Sequence, residues 1–162
     1  MKNIVKSLAI GLAIVASPLA AFAAPGPEQV QISATVVKSC TFAPIPSINL
    51  GNYDWQAGIT STVSNELSVE CNKGVAYWFY SDRGLNSQGS QNNMASNGSL
   101  LAYSLNVIDG NGPFDPAQNF NGQETETASG SVDNYALALN VPAKQTVPTG
   151  TYADTVTFNL SY

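Results

Sequence analysis

The chain has 162 residues, with 6 basic and 11 acidic side chains, two cysteines and no histidine. Lys2 and Lys6 precede the first apolar stretch, so the remainder carries four basic against eleven acidic residues, a net charge of −7. This charge excludes recognition of nucleic-acid phosphates, which needs a basic surface, and attraction to an anionic membrane face. We therefore expect neither a nucleic acid nor a nucleotide as a partner.

The first 23 residues are typical of a secretory signal peptide. Two lysines are followed by the apolar run "SLAIGLAIVASPLAAFA", which closes on an A-x-A cleavage motif ending at Ala23. A membrane anchor is disfavoured because the run is shorter than the ~20 residues of a spanning helix and contains Pro18. The mature chain, residues 24–162, is long enough for one domain.

Export places Cys40 and Cys71 in an oxidising compartment, where a disulfide between them is the default. Closing a loop of about 30 residues should stabilise the fold by roughly 3–4 kcal/mol. The chain has no C-x-x-C motif and no histidine, so we expect neither a redox role nor a metal or other cofactor.

Short alternating runs separated by Gly, Pro, Asn and Asp predict an all-β sandwich. The first run, "QVQISATVVKSC", places four apolar side chains on one face: Val30, Ile32, Ala34 and Val36. The next segment, "FAPIPSINLGNYD", contains prolines, which indicates an edge strand or an extended connection.

Four further strands are predicted before the C-terminus. "TSTVSNELSVEC" places Val63, Asn65, Leu67, Val69 and Cys71 on one face. "GVAYWFYSD" is rich in aromatic residues and is expected to be central, with Trp78 or its neighbours in the core. "LLAYSLNVI" and "SVDNYALALNVP" follow. The segments "RGLNSQGSQNNMASNGS" and "DGNGPFDPAQNFNGQETETASG" are predicted to be exposed loops.

The last segment, "GTYADTVTFNLSY", has the period of a half-buried strand. One face carries Tyr152, Val156, Phe158, Leu160 and Tyr162. Asp154 interrupts that face after a turn at Gly150, and we expect its carboxylate to bond backbone N–H groups of the turn. No turn or strand follows, so we expect the free edge to be covered by a strand from elsewhere.

Catalysis is not expected, because the chain has no histidine base and its cysteines are expected to be bridged. The carboxylate pairs Glu124–Glu126 and Asp109–Asp115 lie in polar loops and are better explained as solvated. "DGNGPFD" offers oxygens from Asp109, Asn111 and Asp115, but it lacks the spacing and closing Glu of a calcium loop, so a turn is favoured.

Two other surface signals are weak. Asn97 and Asn159 head formal glycosylation sequons, which are common by chance. Four aromatic residues could stack on sugars, although core or cross-strand packing is favoured: Trp55, Tyr77, Trp78 and Tyr80.

In order, these segments resemble the spore coat protein U domain of secreted archaic (Csu-type) chaperone–usher pilus subunits. The segments that carry the resemblance are "VQISATVVKSC", "INLGNYD", "LSVEC" with "GVAYWFYSDRG", "LLAYSLNV", and "VPTGTYADTVTFNLSY", which is the closest to the family pattern. Leu50 and Asn106 stand where the family usually has aromatic residues. The long Asn- and Gln-rich loops also depart from the family and leave the position in a fibre open.

The resemblance implies an incomplete immunoglobulin-like sandwich that is completed by strand donation. Residues 24–37 would be the donor segment and residues 38–162 the pilin domain, with Tyr152–Tyr162 beside the acceptor groove. A periplasmic chaperone would fill the groove first and would grip the C-terminal end. The next pilin subunit would replace it at the outer-membrane usher. The product would be a surface fimbrium that supports adhesion and biofilm formation.

Two alternatives remain open from the sequence. One is a secreted spore-coat or matrix protein whose own N-terminal strand closes its sandwich. The other is a monomeric carbohydrate-binding module, and a hydrolase is the least favoured class.

Overall fold

The computed structural model describes residues 26–109, 112–117 and 125–162, and only the backbone of residues 64–66. The predicted signal peptide, Asn111 and Glu124 lie outside the described residues, as does the side chain of Asn65. The chain divides into two units, Met1–Thr35 and Val36–Tyr162, which are described separately. Among the described residues, no helix has the length and apolarity to cross a membrane.

The described residues form nine strands and no helix, which confirms the all-β prediction. In chain order these are β1 (Cys40–Phe42), β2 (Ile59–Cys71), β3 (Ala76–Ser81), β4 (Asn92–Ser96), β5 (Ser99–Asp109), β6 (Gly112–Phe114), β7 (Glu126–Thr127), β8 (Val132–Val141) and β9 (Phe158–Ser161). The larger sheet has the order β1-β2-β8-β5-β4, with β6 paired to β5, and the smaller sheet has the order β7-β3-β9. All pairings are antiparallel.

The core lies between the inward faces of the two sheets, where alternate residues of each strand are buried. Tyr77 and Phe79 of β3 point inward, while Trp78 between them is half-buried on the opposite face. The other large core residues come from the three central strands of the larger sheet: Leu67, Val69, Leu101, Tyr103, Leu105, Val107, Tyr135, Leu137, Leu139 and Val141. The face predicted for β2 is buried at Leu67, Val69 and Cys71, and in β3 the core residues are the neighbours of Trp78.

The predicted disulfide is present between Cys40 and Cys71. These are the first residue of β1 and the last residue of β2, and they face each other as a cross-strand pair. The bond therefore fastens a three-residue edge strand to a thirteen-residue strand.

The segment from Arg83 to Ser99 is not the simple loop that the sequence predicted. It contains β4, whose first two residues, Asn92 and Asn93, are buried. β4 turns into β5 through Asn97 and Gly98, which have φ values of 48° and 82°. Two consecutive positive φ angles at Asn-Gly are the signature of a two-residue hairpin turn, and this local signal was available in the sequence.

Three other segments can be compared with the strands and loops predicted for them. The second predicted loop contains the short strands β6 and β7. Residues 43–58 form no strand and are an extended connection, one of the two expected possibilities. The strand predicted over residues 29–40 forms only at Cys40, and residues 26–39 have no regular secondary structure, because a strand needs a partner to form a ladder.

We predict that Cys40→Ser lowers the free energy of unfolding by roughly 3–4 kcal/mol, because the 31-residue separation would no longer be closed covalently. The result should be poor accumulation of the subunit in the exporting cell, measured by immunoblotting. Treatment of the purified wild-type protein with a reductant should produce a similar loss in a urea titration. Unchanged accumulation and an unchanged urea midpoint would contradict the prediction.

Candidate functional site

The C-terminal segment from Thr151 to Tyr162 alternates between half-buried and exposed residues along its length. Four of the five predicted face residues are half-buried: Tyr152, Val156, Phe158 and Leu160. Tyr162, the fifth, is 52% exposed. Only Phe158–Ser161 is a ladder strand, so the apolar face extends well beyond β9 itself.

β9 is an edge strand of the smaller sheet. It pairs with β3 on one side, with Phe79 opposite Leu160 and Ser81 opposite Phe158. No strand of the described residues pairs with its other side. An edge strand with an apolar face is a template for another strand unless something covers it.

The nearest edge of the larger sheet is β1, whose Cα atoms come within 8 Å of those of β9. Phe42 of β1 contacts the ring of Phe79, with centroids 6.2 Å apart, and Phe79 contacts Tyr135 at 4.8 Å. The edges of both sheets therefore meet on the same side of the sandwich, and aromatic packing connects them. We call this place the β1–β9 seam.

The chain before β9 is fastened to two other elements. Ala153 forms two backbone hydrogen bonds with Ala95 of β4, of 2.8 and 3.1 Å. The loop after β3 supplies two more, from Asp82 N to Thr157 O and from Leu85 N to Thr155 O. The terminal segment therefore begins against the edge of the larger sheet and ends in the smaller sheet.

Asp154 bonds a different loop from the one expected. Its Oδ1 accepts hydrogen bonds from the backbone N and Nδ2 of Asn86, and its Oδ2 accepts one from the Tyr103 hydroxyl at 2.7 Å. The carboxylate thus joins the terminal segment to the β3–β4 loop and to β5. A Cβ at Gly150, the predicted turn residue, would lie 2.8 Å from Ser96 Oγ, so that turn packs against β4.

A second carboxylate, Asp82, was missed at the sequence level. Its Oδ1 accepts hydrogen bonds from the backbone N–H groups of Thr157 and Gly84, each at 2.9 Å. Burial opposes ionisation, but these two N–H groups and the Thr157 hydroxyl outweigh it and hold the pKa of the Asp82 carboxyl below its ordinary value. The sequence offered only an Asp at the end of a predicted strand as a signal.

The four predicted donor residues are exposed. Val30, Ile32 and Val36 are 83–92% exposed, and Ala34 is also exposed. Exposure of three large apolar side chains at alternate positions is unfavourable in water, which indicates that this face is unsatisfied in the isolated chain.

The aromatic residues considered for sugar stacking are dispersed. Tyr77 is buried, and its hydroxyl donates a hydrogen bond to the Asp133 carboxylate and shares another with the Tyr135 hydroxyl, while Trp55 is exposed in a turn. Burial raises the pKa of Tyr135 to about 12 and that of Tyr77 further, so both phenols are neutral at ordinary pH. They line a cavity of about 350 Å³ with Asp109, Glu126 and Asp133.

This cavity gives no support for catalysis. Neutral phenols are poor bases, and no group of three or more His, Cys, Asp or Glu side chains among the described residues could hold a metal ion. Asp115, from the "DGNGPFD" segment in which a turn is favoured over a calcium loop, forms a 3.0 Å ion pair with Arg83.

These features define a disulfide-linked antiparallel β-sandwich with one terminal strand paired on a single side. Residues 27–159 match the Spore Coat Protein U domain, and the chain belongs to that family, which confirms the resemblance seen in the sequence. No curated protein matches the chain.

The chain is similar in fold to a chain in the pre-assembly complex of the CsuC chaperone and the CsuE tip adhesion subunit, from the archaic chaperone–usher Csu pili of Acinetobacter baumannii. The TM-score is 0.55 and the identity 21%, and the match covers 79% of this chain and 40% of that one. This chain therefore spans less than half the length of its structural neighbour. The likeness confirms the immunoglobulin-like, pilin-type fold.

We predict that Gly84→Ala destabilises the protein by about 1–3 kcal/mol. Gly84 has a φ of 85°, and a Cβ there would collide with the Asp154 carboxylate. Gly89→Ala is the matched control, because its φ is also positive, at 58°, but a Cβ would meet nothing within 4 Å. Urea titration should show the larger loss for Gly84→Ala, and equal losses would show that the carboxylate contact is unimportant.

We also predict a stability loss in acid that depends on Asp82. The folded-state pKa of Asp82 lies below its ordinary value of 3.8, so its contribution is complete above that value and is lost as the pH falls through the lowered pKa. Asp82→Asn should flatten the dependence of the thermal midpoint on pH below about 4. Glu28→Gln, in the exposed N-terminal segment, is the control and should keep the wild-type slope.

Proposed function

We propose that the mature chain, residues 24–162, is a structural subunit of a secreted chaperone–usher pilus and that it polymerises by strand donation. The observation that carries this proposal is that β9 pairs on one side only among the described residues, while the apolar face of the N-terminal segment is exposed to water. Family membership and the pilin-type fold support it.

The acceptor would be the β1–β9 seam. A strand added beside β9 would complete its ladder and cover the apolar face formed by Tyr152, Val156, Phe158 and Leu160. Phe42 on the opposite edge would contribute to the same surface, since it already packs against Phe79 beneath the seam.

The donor would be residues 24–37 of the next copy or of a related subunit. Val30, Ile32, Ala34 and Val36 would enter the groove at a spacing of two, while the polar residues between them would face water. Each larger side chain could contribute about 1.5–3 kcal/mol on burial. With the backbone hydrogen bonds, this is sufficient for a durable linkage.

The partners would be a periplasmic chaperone, which protects the seam until assembly, an outer-membrane usher and other pilin subunits. The route would run through the periplasm to the cell surface, where the fibre would support adhesion and biofilm formation. Because the exposed β9 edge would otherwise pair at random, a protecting partner during export is a physical requirement of this fold.

The alternatives receive less support. Self-closure would require residues 26–39 to form a strand, but they form none, and Val30 and Ile32 are exposed. A carbohydrate-binding module would need an aromatic platform, whereas Tyr77 is buried and Trp55 lies in a separate turn. An enzyme is disfavoured because the chain has no histidine and both cysteines are bridged.

We predict that Ile32→Asp abolishes polymerisation, because a carboxylate would have to enter the apolar groove without a partner. Gln31→Asp introduces the same charge one residue away, on the face that would point to water, and should polymerise nearly normally. Heat-resistant ladders on denaturing gels report assembly. Equal loss in both variants would show that charge, rather than the donor face, is responsible.

Deletion of residues 24–36 should produce a subunit that still copurifies with its chaperone but cannot add to the next subunit. The acceptor seam is complete without these residues, since β1 begins at Cys40. Coexpression with the chaperone, followed by gel analysis, measures both properties. Outright unfolding of the truncated chain in the presence of the chaperone would favour the self-closed alternative.

A further inference from the structure

The disulfide lies at the point where the N-terminal segment enters the domain. Val36 is the last proposed donor residue, residues 37–39 are exposed, and Cys40 begins β1. Four residue steps span at most about 14 Å between the Cα atoms of Val36 and Cys40. A pull on the N-terminal segment therefore reaches the sheet first at Cys40, the first residue of β1.

β1 alone is a poor anchor for such a pull. It has three residues and, in the part of the chain that the structure describes, pairs on one side only, with Cys40 opposite Cys71, Thr41 opposite Glu70, and Phe42 opposite Val69. The only flanking backbone bonds to β2 are Asn72 N to Ser39 O and Ala43 N to Ser68 O among the described residues. Because the load arrives at one end, these bonds would break one after another and not together.

β2 is a much stronger anchor. It pairs with β8 at nine positions from Ile59 to Glu70, and β8 pairs in turn with β5. Leu67 and Val69 of β2 are completely buried. Separating β2 from the sheet would break the longest ladder of the molecule and expose its core.

We propose that the Cys40–Cys71 disulfide is a mechanical clamp that transfers tension from the N-terminal segment directly to β2. The bond joins the first residue of the weak strand to the strong strand, so β1 carries no load while the bond is intact. It also keeps the 31-residue stretch between the cysteines from extending. The proposal rests on the proposed function only for the source of the tension, which would be the neighbouring subunit.

The C-terminal segment, where tension would also act, is held by its own contacts. Tension that enters through a donated strand would act on β9, which is held by β3 and by the Asp82 and Asp154 hydrogen bonds. Without the disulfide, β1 is therefore the weakest connection between the chain termini and the folded sheets.

The test is single-molecule pulling of the mature chain between handles at its N-terminus and at Tyr162, before and after reduction. Reduction of the folded protein avoids a cysteine variant that fails to accumulate. The oxidised chain should resist until the sheets separate. The reduced chain should show an additional early step at lower force, which lengthens it by at most about 65 Å as β1 detaches and residues 40–58 extend, because β2 begins at Ile59 and stays paired.

A handle placed at residue 73 in place of the N-terminus is the matched control, because tension would then enter directly after β2. In that geometry, reduction should produce no early step. The clamp proposal would be overturned if the N-terminally pulled chain ruptured in a single step at the same force in both redox states, with only the step length changed.

This outcome is distinguishable from failure of the proposed function. The pulling experiment uses one chain and needs no fibre, whereas the proposed function fails if the wild-type chain forms no heat-resistant ladder. A clamp found in a chain that does not polymerise would leave the mechanical proposal standing with a different source of tension.

Discussion

A β-strand has two hydrogen-bonding edges, and β9 has a partner for only one of them within the described residues. Its apolar residues are half-buried because one layer of the sandwich ends there. Unless something covers it, an exposed edge of this kind leaves backbone groups and apolar side chains to water or to chance partners. The strand addition that we propose would cover both.

The open edge of β9 could accept a partner strand only if β9 is held in place while that edge is uncovered. Asp82 and Asp154 accomplish this by accepting hydrogen bonds from backbone and side-chain donors of elements distant in sequence. Asp154 occupies an apolar-face position, yet its carboxylate is not unpaired, because Asn86 and Tyr103 supply donors. Here, an acidic residue within an apolar pattern holds the terminal segment in place.

The disulfide connects this local order to the rest of the chain. It joins the edge strand that follows the N-terminal segment to a strand in the middle of the core. One covalent bond thus stabilises the fold by restricting the unfolded chain, and in the proposed clamp it would also carry tension to β2. Both roles depend on its position between the first residue of β1 and the last residue of β2.

The sequence by itself determined the all-β class, the buried face of β2, the disulfide, and the alternation of the C-terminal segment. These features depend on side-chain period and composition, which are local.

Sequence reasoning missed β4, although Asn97-Gly98 carried a hairpin signal. It also predicted a strand over the whole terminal segment, whereas only Phe158–Ser161 forms a ladder strand. Tertiary structure alone decided that Asp154 bonds Asn86 and Tyr103, that Asp82 fastens Thr157, and that β1 and β9 meet at one seam. These contacts join residues far apart in the chain, and no local pattern encodes which distant strands become neighbours.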